Sequence, residues 1–210
     1  MATISSLSRF TVPLPSGQTS PNQGLLMPKL KYRFRVSLEN FGISKPTTEL
    51  TKQVMNVTRP GVSFENVELN VYNSKINYAG RYTWADVQLL VRDDVTGAVS
   101  KLVGEQIQKQ FDFFEQASAA SGIDYKFLTR IEILDGGNGD TSIRVLETFE
   151  LFGCYLQNTV YSNADYASSD PIDMTLTIKY DNALQVDGAG NNVGIGANVG
   201  RTLRTFATGI

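Results

Sequence analysis

The side chains with chemical potential in this sequence are carboxylates and one thiol. Asp93-Asp94, followed by Thr96 and Gly97, offers oxygen donors of the kind a hard cation takes. Neighbouring carboxylates at a strand end point to different sides, however, and the loop lacks the ligand density of a calcium site. Glu147, Glu150, Asp165, Asp170 and Asp173 are scattered over strand-like runs and a polar loop, and none forms a marked pair for glycosidic acid–base work. The 210 residues contain no histidine, which removes His-based triads and the commonest zinc ligand. Cys154 is the only cysteine, so neither an intrachain disulfide nor a thiolate cluster is available. The expectation is a chain with no catalytic residues, no metal and no cofactor.

The glycine clusters do not change this. GGNGD (136–140) lacks the Lys-Ser/Thr and helix of a phosphate cradle and reads as a hairpin turn. DGAGNNVGIGANVG (187–200) has one aspartate and no second repeat, so it reads as a glycine-rich extension. With 19 Lys plus Arg against 21 Asp plus Glu, the net charge of -2 argues against a strongly basic nucleic-acid binder. No run is long and apolar enough to span a bilayer as a helix. The opening MATISSLSRFTVPLPSG lacks the basic start and apolar run of a signal peptide, so synthesis in the cytoplasm is expected.

The elements that must position these residues are mainly strands. Residues 1–28 are rich in Ser, Thr, Gly, Pro and Gln and read as an arm without its own core. In KLKYRFRVSLENFG, Leu30, Tyr32, Phe34, Val36 and Leu38 alternate with Lys31, Arg33, Arg35 and Ser37, which predicts a strand with three cations on one face. Residues 43–61 read as a long excursion from the sheet, ending in Pro60-Gly61. VSFENVELNVYNSK and INYAGRYTWADVQLLVRDD then alternate as paired antiparallel strands, with Trp84 as a sheet anchor. Val103, Ile107, Phe111 and Phe114 recur at helical spacing and predict one amphipathic helix over about 100–121. Strand patterns return at 125–135, 142–158 and 174–182. The predicted class is mainly β, an antiparallel barrel or sandwich with one packed helix: an arm at 1–28, a domain at 29–182 and an extension at 183–210.

The run VTRPGVSFENVELNVYNSKINYAGRYTWADVQLLVRDD, the amphipathic helix after it and the later GCYLQNTVYSNADYASSDPIDMTLTIKYDN resemble the tail tube protein of contractile-tailed bacteriophages. The resemblance rests on Pro60-Gly61 before a strand, on Asn73, Lys75-Ile76-Asn77, Ala79-Gly80 and Thr83, and on Gly153 before an aromatic; Leu156 stands where the family often has proline. It implies a non-catalytic virion protein that forms six-subunit rings stacked into a tube. The sheath would surround that tube, baseplate and terminator proteins would close its ends, and double-stranded DNA would pass through it. The inner tube of a type VI secretion system or a phage-tail-like particle is the alternative; a carbohydrate- or nucleic-acid-binding β-domain is the weaker one. On this reading Arg59, Lys75, Arg81, Asp93 and Asp94 are candidates for contacts between subunits. Val103, Ile107, Phe111, Phe114 and Trp84 would pack the core, and some of Glu65, Glu68, Asp86, Glu147 and Asp173 would give the lumen a net acidic or near-neutral wall along which DNA slides.

Overall fold

The structure is a computed structural model that describes residues 28–43, 48–136 and 143–198. The predicted arm, the GGNGD turn beyond Gly136 and the residues after 198 lie outside the described ones. The chain divides into two units, Met1–Arg33 and Phe34–Ile210. In the first, a turn closes with Arg33 N–H donating to the Leu30 carbonyl at 3.2 Å, and the Arg33 guanidinium lies 5.4 Å from the centre of the Tyr32 ring. The expected strand therefore begins only at Phe34, and the three cations do not share one strand face.

The second unit runs β1 (Phe34–Glu39), α1 (Thr48–Gln53), β2 (Val54–Val57), β3 (Val62–Val71), β4 (Ser74–Trp84), β5 (Val87–Arg92), α2 (Ala98–Gln110), β6 (Phe111–Asp112), β7 (Ala117–Ser118), α3 (Gly122–Tyr125), β8 (Phe127–Leu134), β9 (Val145–Tyr161), β10 (Asp173–Lys179) and β11 (Asn182–Asp187). Seven strands form one sheet in the order β1-β8-β9-β10-β5-β2, with β11 also on β9. All pairings are antiparallel. The arrangement is sandwich-like, and among the described residues no sheet closes: β1 and β2, at the two ends of the order, do not pair with each other. This corrects the barrel half of the expectation, because alternation reports which face is buried and not whether the last strand meets the first.

The sheet folds over on itself at one corner. The 17-residue β9 pairs with β8 and β11 through its first half and with β10 through its second. The pairings Ile178 with Leu156 and Asn182 with Phe152 keep one register, so β10 and β11 lie end to end along the same edge of β9. The corner falls at Gly153, whose φ of 68° suits a residue without Cβ. Opposite it Asp181 donates its N–H to the Phe152 carbonyl at 3.0 Å and pairs with Lys126 at 2.5 Å. Period-two alternation then sends Met174, Leu176 and Ile178 of β10 and Val87, Leu89 and Val91 of β5 into one core with Val36, Ile131 and Leu151. Each such fully buried aliphatic side chain contributes about 1.5–3 kcal/mol. β11 is part of this body, so the sheet runs past the expected limit at 182 to Asp187.

Helix α2 closes the core with Val99, Leu102 and Val103, and Ile107 packs against it half-buried. It ends at Gln110, short of the expected 121. Phe111 stands in β6, and Phe114, 95 % exposed, sits in the turn before β7. This corrects the placing of both on a buried helical stripe. The reason is local: Asp112 Oδ1 accepts the N–H groups of Phe114 at 2.9 Å and Glu115 at 3.2 Å, an alternative to continued helix. Those bonds, the Glu115 one foremost, hold the Asp112 carboxyl below its usual range. Phe114→Ala should change stability by less than about 0.5 kcal/mol in urea unfolding, whereas Leu102→Ala should cost about 2–5 kcal/mol. A large loss at Phe114 would show that this turn packs inward.

Candidate assembly surface

β3 and β4 form a two-stranded sheet apart from the large one, and every residue of β3 is exposed. A lone hairpin of this kind is marginal in water. Its register sorts the outer half cleanly. Val67 faces Tyr78, Leu69 faces Ile76 and Val71 faces Ser74, while the alternate pairs are Asn66 with Ala79, Glu68 with Asn77 and Asn70 with Lys75. One face is therefore Val67, Leu69, Val71, Ile76 and Tyr78, and the other is almost wholly polar. On the polar face Lys75 meets Glu68 at 2.5 Å and Asn66 donates to Asn77 at 3.3 Å.

A bulge between Phe64 and Asn66 breaks the register, and Gly80 sits there because a Cβ would lie 2.9 Å from Val67 Cγ2 and 3.0 Å from the Glu65 carbonyl oxygen. Nearer the root the pairs are Phe64 with Tyr82 and Val62 with Trp84. Trp84 is half-buried against the core, its ring 5.5 Å from Tyr180. At the tip Tyr72 is fully exposed with φ at 48°, a backbone state that L-residues adopt at a cost. An aromatic held there and in a pleat of exposed Val, Leu and Ile is what a docking surface shows.

The expected intersubunit residues are dispersed. Lys75 has its partner Glu68 within the hairpin; Arg59, in the loop before β3, and Arg81, beside the bulge, are exposed and make no ion pair among the described residues. Asp93 and Asp94 serve the start of α2. Asp93 Oδ1 accepts from Ser100 N–H at 3.4 Å, and Asp94 Oδ1 accepts from Ala98 N–H at 3.2 Å and from the Thr96 hydroxyl at 2.8 Å. These bonds satisfy N–H groups that a helix start leaves open. The acidic candidates are spread over several elements. Glu65 lies at the bulge, Glu68 is paired, and Asp86 lies 3.8 Å from Lys179. Glu147 is buried and accepts from the Gln185 amide, and Asp173 faces Arg92 at the start of β10.

Two glutamines at apolar helical spacing in α2 were not singled out as structural by the sequence. Gln106, fully buried, accepts from Gly42 N–H at 2.9 Å and donates to the Tyr125 carbonyl at 2.7 Å. Gln110 accepts the Leu156 N–H at 2.8 Å and donates to the Leu156 carbonyl at 2.9 Å, so its amide stands in for a strand beside β9. Their place in the repeat of Val99, Leu102 and Val103 was the available signal.

Among the described residues no group of three or more Cys, Asp or Glu is placed to hold a metal, and no helix is long and apolar enough to cross a membrane. Cys154 is buried and contacts the Leu151 carbonyl at 3.2 Å; burial pushes its thiol up to about 11. At pH 8 it should react with a disulfide reagent on the order of 100-fold more slowly than an ordinary thiol, and become reactive on unfolding in urea. Fast labelling of the native chain would contradict this burial.

No protein-family model matches the chain, and no curated protein matches it in sequence. Solved structures do match in fold. A chain in the cryo-EM structure of the anti-feeding prophage baseplate, six-fold symmetrised, superposes with a TM-score of 0.57 at 12 % identity, covering 78 % of this chain and 99 % of that one. A chain of the anti-feeding prophage tube-terminating cap gives 0.55 at 12 % identity, over 78 % and 94 %. One from the sheath–tube complex of an extracellular contractile injection system, PVC, in its extended state gives 0.52 at 14 % identity, over 89 % and 99 %. The chain thus shares its fold with chains of the anti-feeding prophage and of an extracellular contractile injection system.

Proposed function

We propose that this chain is a structural, non-catalytic protein that assembles into hexameric rings, stacked as the inner tube of a contractile tail. The observation that carries the reading is the β3–β4 hairpin, whose apolar face is left open by the described residues of its own chain. The shared fold supports it, since structures with that fold are described as a baseplate, a tube-terminating cap and a sheath–tube complex. Each subunit would offer the same hairpin and receive its neighbour's, the head-to-tail geometry that propagates rings and filaments. A sheath around the tube, and baseplate and terminator proteins at its ends, are the partners this implies. The resemblance to phage tail tubes makes double-stranded DNA the passenger and the virion the location.

The fold matches favour a second reading, because the particles just described are an anti-feeding prophage and an extracellular contractile injection system. On that reading the tube is the same and the cargo differs. Cryo-electron microscopy of purified particles containing the chain tests both. Hollow six-fold tubes are expected; particles whose tube lacks the chain, together with a monomeric mass at all concentrations, would refute tube formation. Nuclease-protected DNA in the particles separates a genome conduit from an injection device.

A further inference from the structure

The second half of β9 has one edge without a strand. β10 occupies one side of Tyr155–Tyr161, and β8 ends opposite Cys154 on the other. Beyond it the Gln110 amide takes the N–H and the carbonyl of Leu156, and from Gln157 to Tyr161 no strand among the described residues pairs with that edge. Val160 and Tyr161 are about half exposed there. Alongside the start of this edge runs a groove of about 410 Å³, walled by Ser118, Ala119, Ala120 and Gly122 and floored by Tyr155 and Leu156. A free strand edge beside an open groove is the receptor for an added strand.

We propose that the occupant is segment 199–210 of a second copy of this chain, pairing as an extra strand with Gln157–Tyr161. This rests on the self-assembly proposed above. Charge selects the segment. Between Arg144 and Lys179 there is no Lys or Arg, and the loop after β9 carries Asp165 and Asp170 and leads to Asp173. After Asp187 there is no Asp or Glu, and 199–210 carries Arg201 and Arg204 among Thr202, Leu203, Thr205, Phe206 and Thr208, residues that suit a half-buried strand. Direction selects the second copy. Residues 191–195 run along the outer edge of β11, with Gln185 N–H donating to the Ile195 carbonyl at 2.7 Å and Val193 N–H to the Gln185 carbonyl at 2.8 Å. That edge lies across the sheet from the open edge of β9, so residues 191–195, the described stretch before the segment, lie on the side away from the groove of their own body.

Disulfide trapping tests this in the full chain. Val160→Cys is combined with Thr205→Cys and, separately, with Phe206→Cys, which samples both faces of the added strand; native Cys154 stays buried. Oxidation of assembled protein should give a ladder of covalent multimers on a non-reducing denaturing gel with one of the pairs. Adding Arg201→Glu and Arg204→Glu should lower the yield about tenfold, the effect of losing two rim pairs. A fast-migrating cross-linked monomer, a link to another particle protein, or no link with either pair would each overturn the proposal. Microscopy of the same samples keeps the two readings apart: tubes without the ladder sink this inference alone, and covalent dimers in the absence of tubes sink only the tube.

Discussion

Replacing Val67, Leu69 and Ile76 together by Glu should give a folded subunit that forms no tubes. The three side chains lie on the apolar face of a hairpin that contributes little to the body of its own chain, since each is 44–49 % exposed. With Val71 and Tyr78 they present roughly 300 Å² of apolar surface, worth about 7 kcal/mol if a neighbour covers it, before the costs of association. Three carboxylates there would forfeit that contribution and would have to be desolvated. The expected readout is a monomeric mass by light scattering, an unfolding midpoint close to that of the parent, and an empty micrograph. Tubes at the parent's yield would show that the face stays in water. A collapse in stability would show instead that the hairpin packs on its own subunit.

Gly153→Ala should be a strongly damaging small substitution in the body. A Cβ at this position would stand 2.2 Å from Asp181 Oδ2, and the backbone there has φ of 68°. The left-handed conformation alone costs a residue with Cβ about 1–2 kcal/mol. Asp181 is short and held by Lys126 at 2.5 Å, so it cannot yield without giving up that contact. The sum is about 3 kcal/mol, a fall in Tm of roughly 6–12 °C for a chain of this length. Asp181→Ala should recover part of the loss when combined with Gly153→Ala, because the steric part resides in that carboxylate and the backbone part does not. A cost below about 0.5 kcal/mol would mean that β9 turns its corner without needing glycine.

What the sequence determined by itself was the content of the strands and the chemistry that is missing. Period two in β5 and β10 and across β3 and β4 depends only on backbone geometry, and the lack of histidine and the single cysteine are properties of composition. One further decision lay in a local turn, and three belonged to the tertiary structure. The helix stopped at Gln110 because Asp112 draws the next N–H groups into a turn, and Phe111 continued the spacing without showing this. Residues 182–187 became a strand because β9 has an edge for them to pair with, and that pairing is invisible in their own glycine-rich context. Gln106 and Gln110 became structural because unpaired backbone groups of Gly42, Tyr125 and Leu156 face them. Among the described residues the large sheet stayed open and the β3–β4 hairpin bare, because closure and covering require partners whose positions no local pattern encodes.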